Sequence, residues 1–270
     1  MTVQELCKRI KLQESVEDRV NAFVSSYDFS KIEATLQDLT KPETAKAAYE
    51  KLMEIFQEDE DKIKMLSCYL IGVSRVYDRY QEKGISDEIF TETFKCFTRF
   101  IEECKVKTGQ YAFDRAFWTY RQASMVLFRI GELEYELVEE KGKKEISVHI
   151  PSDAKMSDAD IDESLKKAED FFATYYPEYA ESEYICDSWL LSPKLKELLS
   201  EESNIIRFQN RFEITSEDKE AKDIFEWLFK TSEDADVATL PEDTSLQRKA
   251  KALLLQGDNI GIAVGVMKKR

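Results

Sequence analysis

The chain has 270 residues, enough for one large domain or two moderate ones. A 43% apolar share supports a packed core, and 8 glycines with 5 prolines exclude fibrous and disordered classes. Its 54 acidic and 39 basic residues leave a net charge of −15, a field that repels nucleic acid and anionic membrane surfaces, so neither is an expected partner.

From residue 1 to about 130 the apolar residues recur at helical spacing. Five sets carry the pattern. They begin with Val3, Leu6, Cys7 and Ile10, then Ala45 to Phe56, then Ile63 to Tyr80. Ile89 to Ile101 follow, and Phe113, Phe117, Tyr120 and Ser124 run on to Leu127 and Phe128. Pro42 and Ser86 suit helix starts, and Gly84 and Gly109 suit stops. The pattern predicts five helices and no strand in this half. Near Arg129 the period falls to two. Leu133, Tyr135 and Leu137 alternate with Glu132, Glu134 and Glu136, Gly142 marks a turn, and Ile146, Val148 and Ile150 alternate again, which predicts a β-hairpin. A helix over about 157–175, capped by Ser157, comes next. "YICDSWLLSP" (184–193) reads as a buried strand, "PKLKELLSEE" as a short helix and "NIIRFQNRFEIT" as one strand or two pieces. "SEDKEAKDIFEWLFK" and "SLQRKAKALLLQG" read as helices, and "NIGIAVGVM" closes the chain as a strand. The expected fold is α+β: an all-helical domain over 1–128, then an α/β domain over 129–270 with a mixed, largely antiparallel sheet.

The first twenty residues lack the apolar segment of a signal peptide, and no apolar run approaches the roughly 20 residues that span a bilayer, so a cytoplasmic location without membrane partners is expected. Cys7, Cys68, Cys96, Cys104 and Cys186 are odd in number, widely spread and free of any CxxC, which predicts neither a disulfide framework nor a metal site. One histidine and no HExxH make metal catalysis an unexpected chemistry.

That histidine, His149, ends the second hairpin strand. Two readings apply: a general base, or a ring that fixes the loop by bonding Asp153 or a backbone group. Ser152 and Asp153 follow Pro151 as turn residues, and Asp153 could orient the ring as the third member of a triad does. Cys186 is either a nucleophile paired with His149 or an ordinary buried thiol. Asp187, inside an apolar strand, needs a partner, and Arg207 or Arg211 could supply one. Trp118, Arg121 and Gln122 form a second stripe on the last helix of the first half, suited to docking or to ligand contact.

The order hairpin, helix, strand, helix, strand resembles the Gcn5-related N-acetyltransferase superfamily. "FWTYRQ", "FRIGELEYEL", "HIPSDA", "CDSWLLSPKLKELL" and "SNIIRFQNRFEI" together resemble bacterial two-domain N-acyltransferase-like proteins, over most of 117–214. The resemblance implies acyl transfer from acyl-CoA as co-substrate to a small-molecule or peptide amine, in a cleft between the two domains. His149 or Glu134 would be the base, and backbone N–H groups of a splayed strand would hold the oxyanion. Arg121, Gln122, Asp153, Asp187, Ser188 and Trp189 would shape the acceptor side, and Ser152 the donor side. The superfamily's glycine-rich phosphate loop, Q/R-x-x-G-x-G/A, is replaced here by "PSDAKMSDAD", whose aspartates suit helix capping and oppose phosphate. Two other readings stay open: a non-catalytic ligand-binding or interaction protein that keeps the fold, and covalent acyl transfer by Cys186 with His149.

Overall fold

The computed structural model describes residues 1–268 and divides into two compact units, Met1–Ile130 and Gly131–Arg270.

The first unit is helical up to its last strand. Its helices are α1 (Val3–Arg9), α2 (Glu14–Ser26), α3 (Glu33–Asp38), α4 (Ala45–Ile55), α5 (Ile63–Lys83), α6 (Asp87–Phe94), α7 (Cys96–Thr108) and α8 (Ala116–Ala123), followed by β1 (Leu127–Ile130). The central helix, α5, buries Leu66, Tyr69, Leu70, Val73 and Tyr80 and stops at Gly84, whose φ of +74° is left-handed and strained for any side chain but glycine's. Ser86 caps α6 by accepting from the Ile89 N–H. Three sequence expectations change here. The single helix over 89–101 is two, separated at Lys95. Helix α2 carries no predicted set because only Val16 and Val20 of it are buried, too narrow a stripe to show as periodicity. The run into Leu127 and Phe128 is strand, not helix, and the Arg129 N–H in it donates to Thr93 Oγ1 at 3.0 Å.

The second unit holds β2 (Leu133–Glu140), β3 (Lys143–His149), α9 (Asp158–Tyr175), β4 (Glu183–Ser188), α10 (Leu195–Leu198), α11 (Asn204–Gln209), β5 (Phe212–Asp218), α12 (Asp223–Trp227), α13 (Ser245–Leu255) and β6 (Ile262–Met267). Its strands lie in the order β2-β3-β4-β6-β5. All neighbours are antiparallel except β3 and β4. The hairpin turn uses Lys141 (φ +52°) and Gly142 (φ +81°), the double positive φ of a two-residue turn whose twist matches the strands.

One sheet face is apolar and covered by α9. Tyr135, Ile146 and Val148 are all fully buried, and Phe172 of α9 sets its ring edge-on to Tyr135 at 6.2 Å. Ser164 Oγ accepts the Leu133 N–H at 3.2 Å and lies 2.9 Å from the Tyr135 hydroxyl, so both hydroxyls in this contact are satisfied. A second apolar cluster, built from Leu195, Ile206, Ile224, Phe225, Phe229, Leu246 and Ile260, joins the helices between β4 and β6.

Two further expectations are corrected in this unit. Residues 204–209 are helical, because a short apolar run suits a buried helix as well as a strand. Ser216–Asp218 belong to β5, which pairs with β6 across a bulge between Ile214 and Ser216, and only Asp223–Trp227 of the predicted helix forms. Ladder pairing has overridden the helical propensity of "SEDKEAK".

Candidate active site

The second sheet face, the one turned away from α9, collects the polar residues. Directly paired strand residues project to the same side. Glu134 pairs with His149 and Glu136 with Ser147 across β2 and β3, and Ser147 pairs with Ile185 of β4. Alternation then places Glu134, Glu136, Ser147, His149 and Asp187 on one face and Cys186 on the other. Pairing between β3 and β4 runs from Glu145 with Glu183 to Ser147 with Ile185, although β3 continues to His149 and β4 to Ser188. His149 and Asp187 therefore stand where the two strands part.

Glu134 is 3% exposed. His149 Nε2 lies 2.9 Å from Glu136 Oε2, with both side chains about one-fifth exposed, at 21% and 17%. A carboxylate so placed orients the ring. The sequence reading named Glu136 only as one of a row. Its signal was present: a two-residue turn at Lys141–Gly142 sets the hairpin register and puts residue 136 diagonal to residue 149.

Asp187 is exposed, yet its carboxyl is raised above the ordinary value, first by its partly enclosed setting and then by Asp223, with His149 pulling the other way. The expected arginine partners are elsewhere. Arg211 bonds Asp162 at 2.5 Å and Asp158 at 2.7 Å, and Arg207 stands 3.6 Å from Asp158. Both aspartates lie in the first turns of α9, where Ser157 caps the helix by accepting from the Asp160 N–H. The acidic charge expected to repel phosphate there is thus partly offset.

The turn over Pro151–Ala154 closes with the Ala154 N–H donating to the Pro151 carbonyl at 3.0 Å, and it exposes Ser152 and Asp153. Ser188 Oγ accepts the Leu190 N–H at 3.2 Å and so ends β4. Trp189 is consequently not in the strand, as the sequence pattern suggested, but begins a single 3-10 turn and packs against the second apolar cluster.

Cys186 is 0% exposed, and burial pushes its thiol well above the ordinary range, with Asp187 adding to the effect. It also lies on the sheet face opposite His149, so the thiol–imidazole pair lacks its geometry. Native chain treated with iodoacetamide at pH 8 should leave Cys186 unmodified, and denatured chain should not. Peptide mass spectrometry reads the difference, and rapid labelling of the native chain would restore the covalent reading.

Arg121 and Gln122 lie on α8 of the first unit. The Arg121 guanidinium sits 4.4 Å from the Trp118 ring centre, a cation–π contact three residues apart on the helix. Gln122 is wholly buried, and neither end of its amide has a hydrogen-bond partner among the described residues. No cluster of metal-ligating residues and no helix long and apolar enough to cross a membrane occurs among the described residues.

The model of a GNAT-like C-terminal domain matches residues 127–267, and that of an N-acyltransferase N-terminal domain matches residues 1–125. None of the curated proteins matches the chain. Among solved structures, an acyltransferase in complex with decanoyl-CoA and teicoplanin is 25% identical with a TM-score of 0.80, covering 98% of this chain and 87% of that one. A mutant acyltransferase in complex with octanoyl-CoA is 24% identical with a TM-score of 0.81, covering 99% and 88%. A further acyltransferase, in complex with decanoyl-CoA, is 18% identical with a TM-score of 0.72, covering 100% of each chain. At such low identity the last two are likenesses of fold.

Proposed function

We propose, from the premise that the chain belongs to the family with a GNAT-like C-terminal domain, that it is an N-acyltransferase moving an acyl group from an acyl-CoA thioester to an amine. The observation that carries the reading is the placing of His149, with Glu134 and Glu136, on the polar sheet face where β3 and β4 part. Structures of the same fold hold decanoyl-CoA or octanoyl-CoA, which supports a medium-chain thioester as donor.

The acceptor nitrogen attacks the thioester carbonyl carbon, the C–N bond forms, and the C–S bond breaks to release CoA as a thiolate. His149 takes the proton that nitrogen loses and passes it to the departing sulfur, so the residue ends as it began. Glu134, buried directly across from His149, is the second candidate base, acting through a water. Asp187, exposed beside the gap, meets the acceptor as an ammonium before it loses its proton, and Asp153, Ser188 and Trp189 are the further candidates for acceptor contact. Donor phosphates take the N-terminus of α9 and the turn at Ser152, where the helix dipole attracts anions. The supporting feature is Arg211, which offsets Asp158 and Asp162. Teicoplanin, bound by one neighbour, makes a small molecule carrying an amine the acceptor class to screen first.

The missing glycine loop favours a second reading, a ligand-binding protein that keeps the fold without transfer. Thermal unfolding with CoA, acetyl-CoA, octanoyl-CoA and decanoyl-CoA separates the two. A thioester at 100 times its Kd adds about 2.7 kcal/mol of stability. Stabilisation by an acyl-CoA is the expected result, and no shift with any thioester would overturn CoA-dependent transfer.

A further inference from the structure

We infer that the half of the polar face formed by β4, β6 and β5 is a binding surface for an acceptor with an apolar body and a second cationic group. Only the role of the bound amine as acceptor rests on the transfer reading.

Strand register lays this half out. Ile185 of β4 pairs with Val266 of β6, and Val266 with Glu213 of β5. Asp187 pairs with Val264, and Ile262 with Asp218. Directly paired residues project to one side, so these side chains share the face that carries His149. Ile185, Ile262, Val264 and Val266 form an apolar stripe through it. All of them remain partly exposed, whereas the opposite side of β6 buries Ala263 and Gly265. Adjoining β-branched side chains within reach of solvent gain by being covered.

The border of the stripe is acidic. Asp187 stands at the gap beside His149, and Glu213 and Asp218 stand on β5, all exposed. Asp223 adds negative charge near Asp187. Strands β4, β5 and β6 contain no lysine or arginine. Beyond the end of β6, Lys268 donates to the Asn210 carbonyl at 2.9 Å. Among the described residues Asp187, Glu213 and Asp218 have no ion-pair partner, and Asp218 accepts the Glu220 N–H at 3.0 Å. An apolar stripe with acid at both borders and no cation of its own complements an apolar spacer with a cation at each end. Asp187 takes the amine that reacts. Glu213 and Asp218 take the second cation, on a strand two spacings from β4, roughly 10 Å away.

The probes are octylamine, 1,3-diaminopropane and 1,8-diaminooctane, whose binding to the full chain is read by titration calorimetry without any thioester. 1,8-Diaminooctane should bind about 3- to 10-fold more tightly than octylamine, the increment of two exposed ion pairs. The short diamine, which does not span the stripe, should bind more weakly than either. Glu213→Gln combined with Asp218→Asn should bring the ratio of the two longer amines below about twofold, as should about 0.5 M NaCl. Both carboxylates are exposed, so this variant should unfold at the temperature of the unaltered chain. Val264→Thr, which puts a hydroxyl on the stripe, should weaken both longer amines by about threefold and keep their ratio. Equal affinity for octylamine and 1,8-diaminooctane, no binding of either, or a preference that survives the double substitution would overturn the proposal. So would self-association that Val264→Thr abolishes, because a second copy would then cover the stripe. A diamine preference carried by Glu213 and Asp218, with no thermal shift from any thioester, would leave the surface standing and remove the transfer reading.

Discussion

Replacing His149 by alanine should lower kcat for acyl transfer by about 10²–10⁴-fold, the span that a positioned general base contributes. The size of the loss follows from the chemistry. An acceptor that arrives as an ammonium must first give one proton to solvent to gain a lone pair, and the second proton, which the nitrogen loses as the C–N bond forms, needs a base within reach. His149 is placed for this, largely enclosed and oriented by Glu136. The variant should bind octanoyl-CoA or decanoyl-CoA as the unaltered chain does, because the groups assigned to the donor lie at the turn after Pro151 and the start of α9. The measurement is release of CoA under single-turnover and steady-state conditions, paired with the thermal shift. A kcat within about twofold of normal would move the base to Glu134, and Glu134→Gln would then be the variant to make.

The largest structural effect should come from Phe172→Ala, which is expected to destabilise the second unit by about 3–5 kcal/mol. Phe172 is 0% exposed. Its ring lies 6.2 Å from that of Tyr135 on β2 and 6.5 Å from that of Tyr184 on β4, so it bridges the helix to two strands. Deleting it removes the ring's transfer energy and leaves a cavity that three separate elements would have to close together. Hydrogen exchange read by peptide is the suitable check, since the chain divides into two compact units and one midpoint would blend them. Protection should fall over 131–268 and stay unchanged over most of 1–130. A loss below about 1 kcal/mol would mean that α9 is not the element that seals this face.

Local signals carried most of the secondary structure. The 21-residue α5 and its stop at Gly84, the Ser157 cap on α9 and the alternation of β2 were all legible, because each depends on residues within a few positions of one another. The resemblance in "FRIGELEYEL", "HIPSDA" and "CDSWLLSPKLKELL" pointed to the acyltransferase-like fold that the family model over 127–267 supports. His149, Glu134 and Asp187 could be nominated from sequence for similar reasons: a lone histidine at a strand end and carboxylates inside strands ask for a role.

Tertiary structure decided what those residues face. Residues 204–209 are helical because Ile206 and Phe208 are buried there, with Ile206 in the cluster formed with Leu195, Phe225 and Leu246, an arrangement no local window contains. Arg211 binds Asp158 and Asp162 across a gap of about 50 residues rather than Asp187, which a count of charges could not foresee. The parallel pairing of β3 with β4 separates Cys186 from His149 by the thickness of the sheet and brings Asp187 to the histidine's side. A shift of one residue in that pairing would exchange the two. The sequence by itself therefore determined which groups were available for chemistry, from residue type and short-range period. The register between strands more than 30 residues apart decided which of them meet, because non-local hydrogen bonding and burial, rather than local propensity, set it.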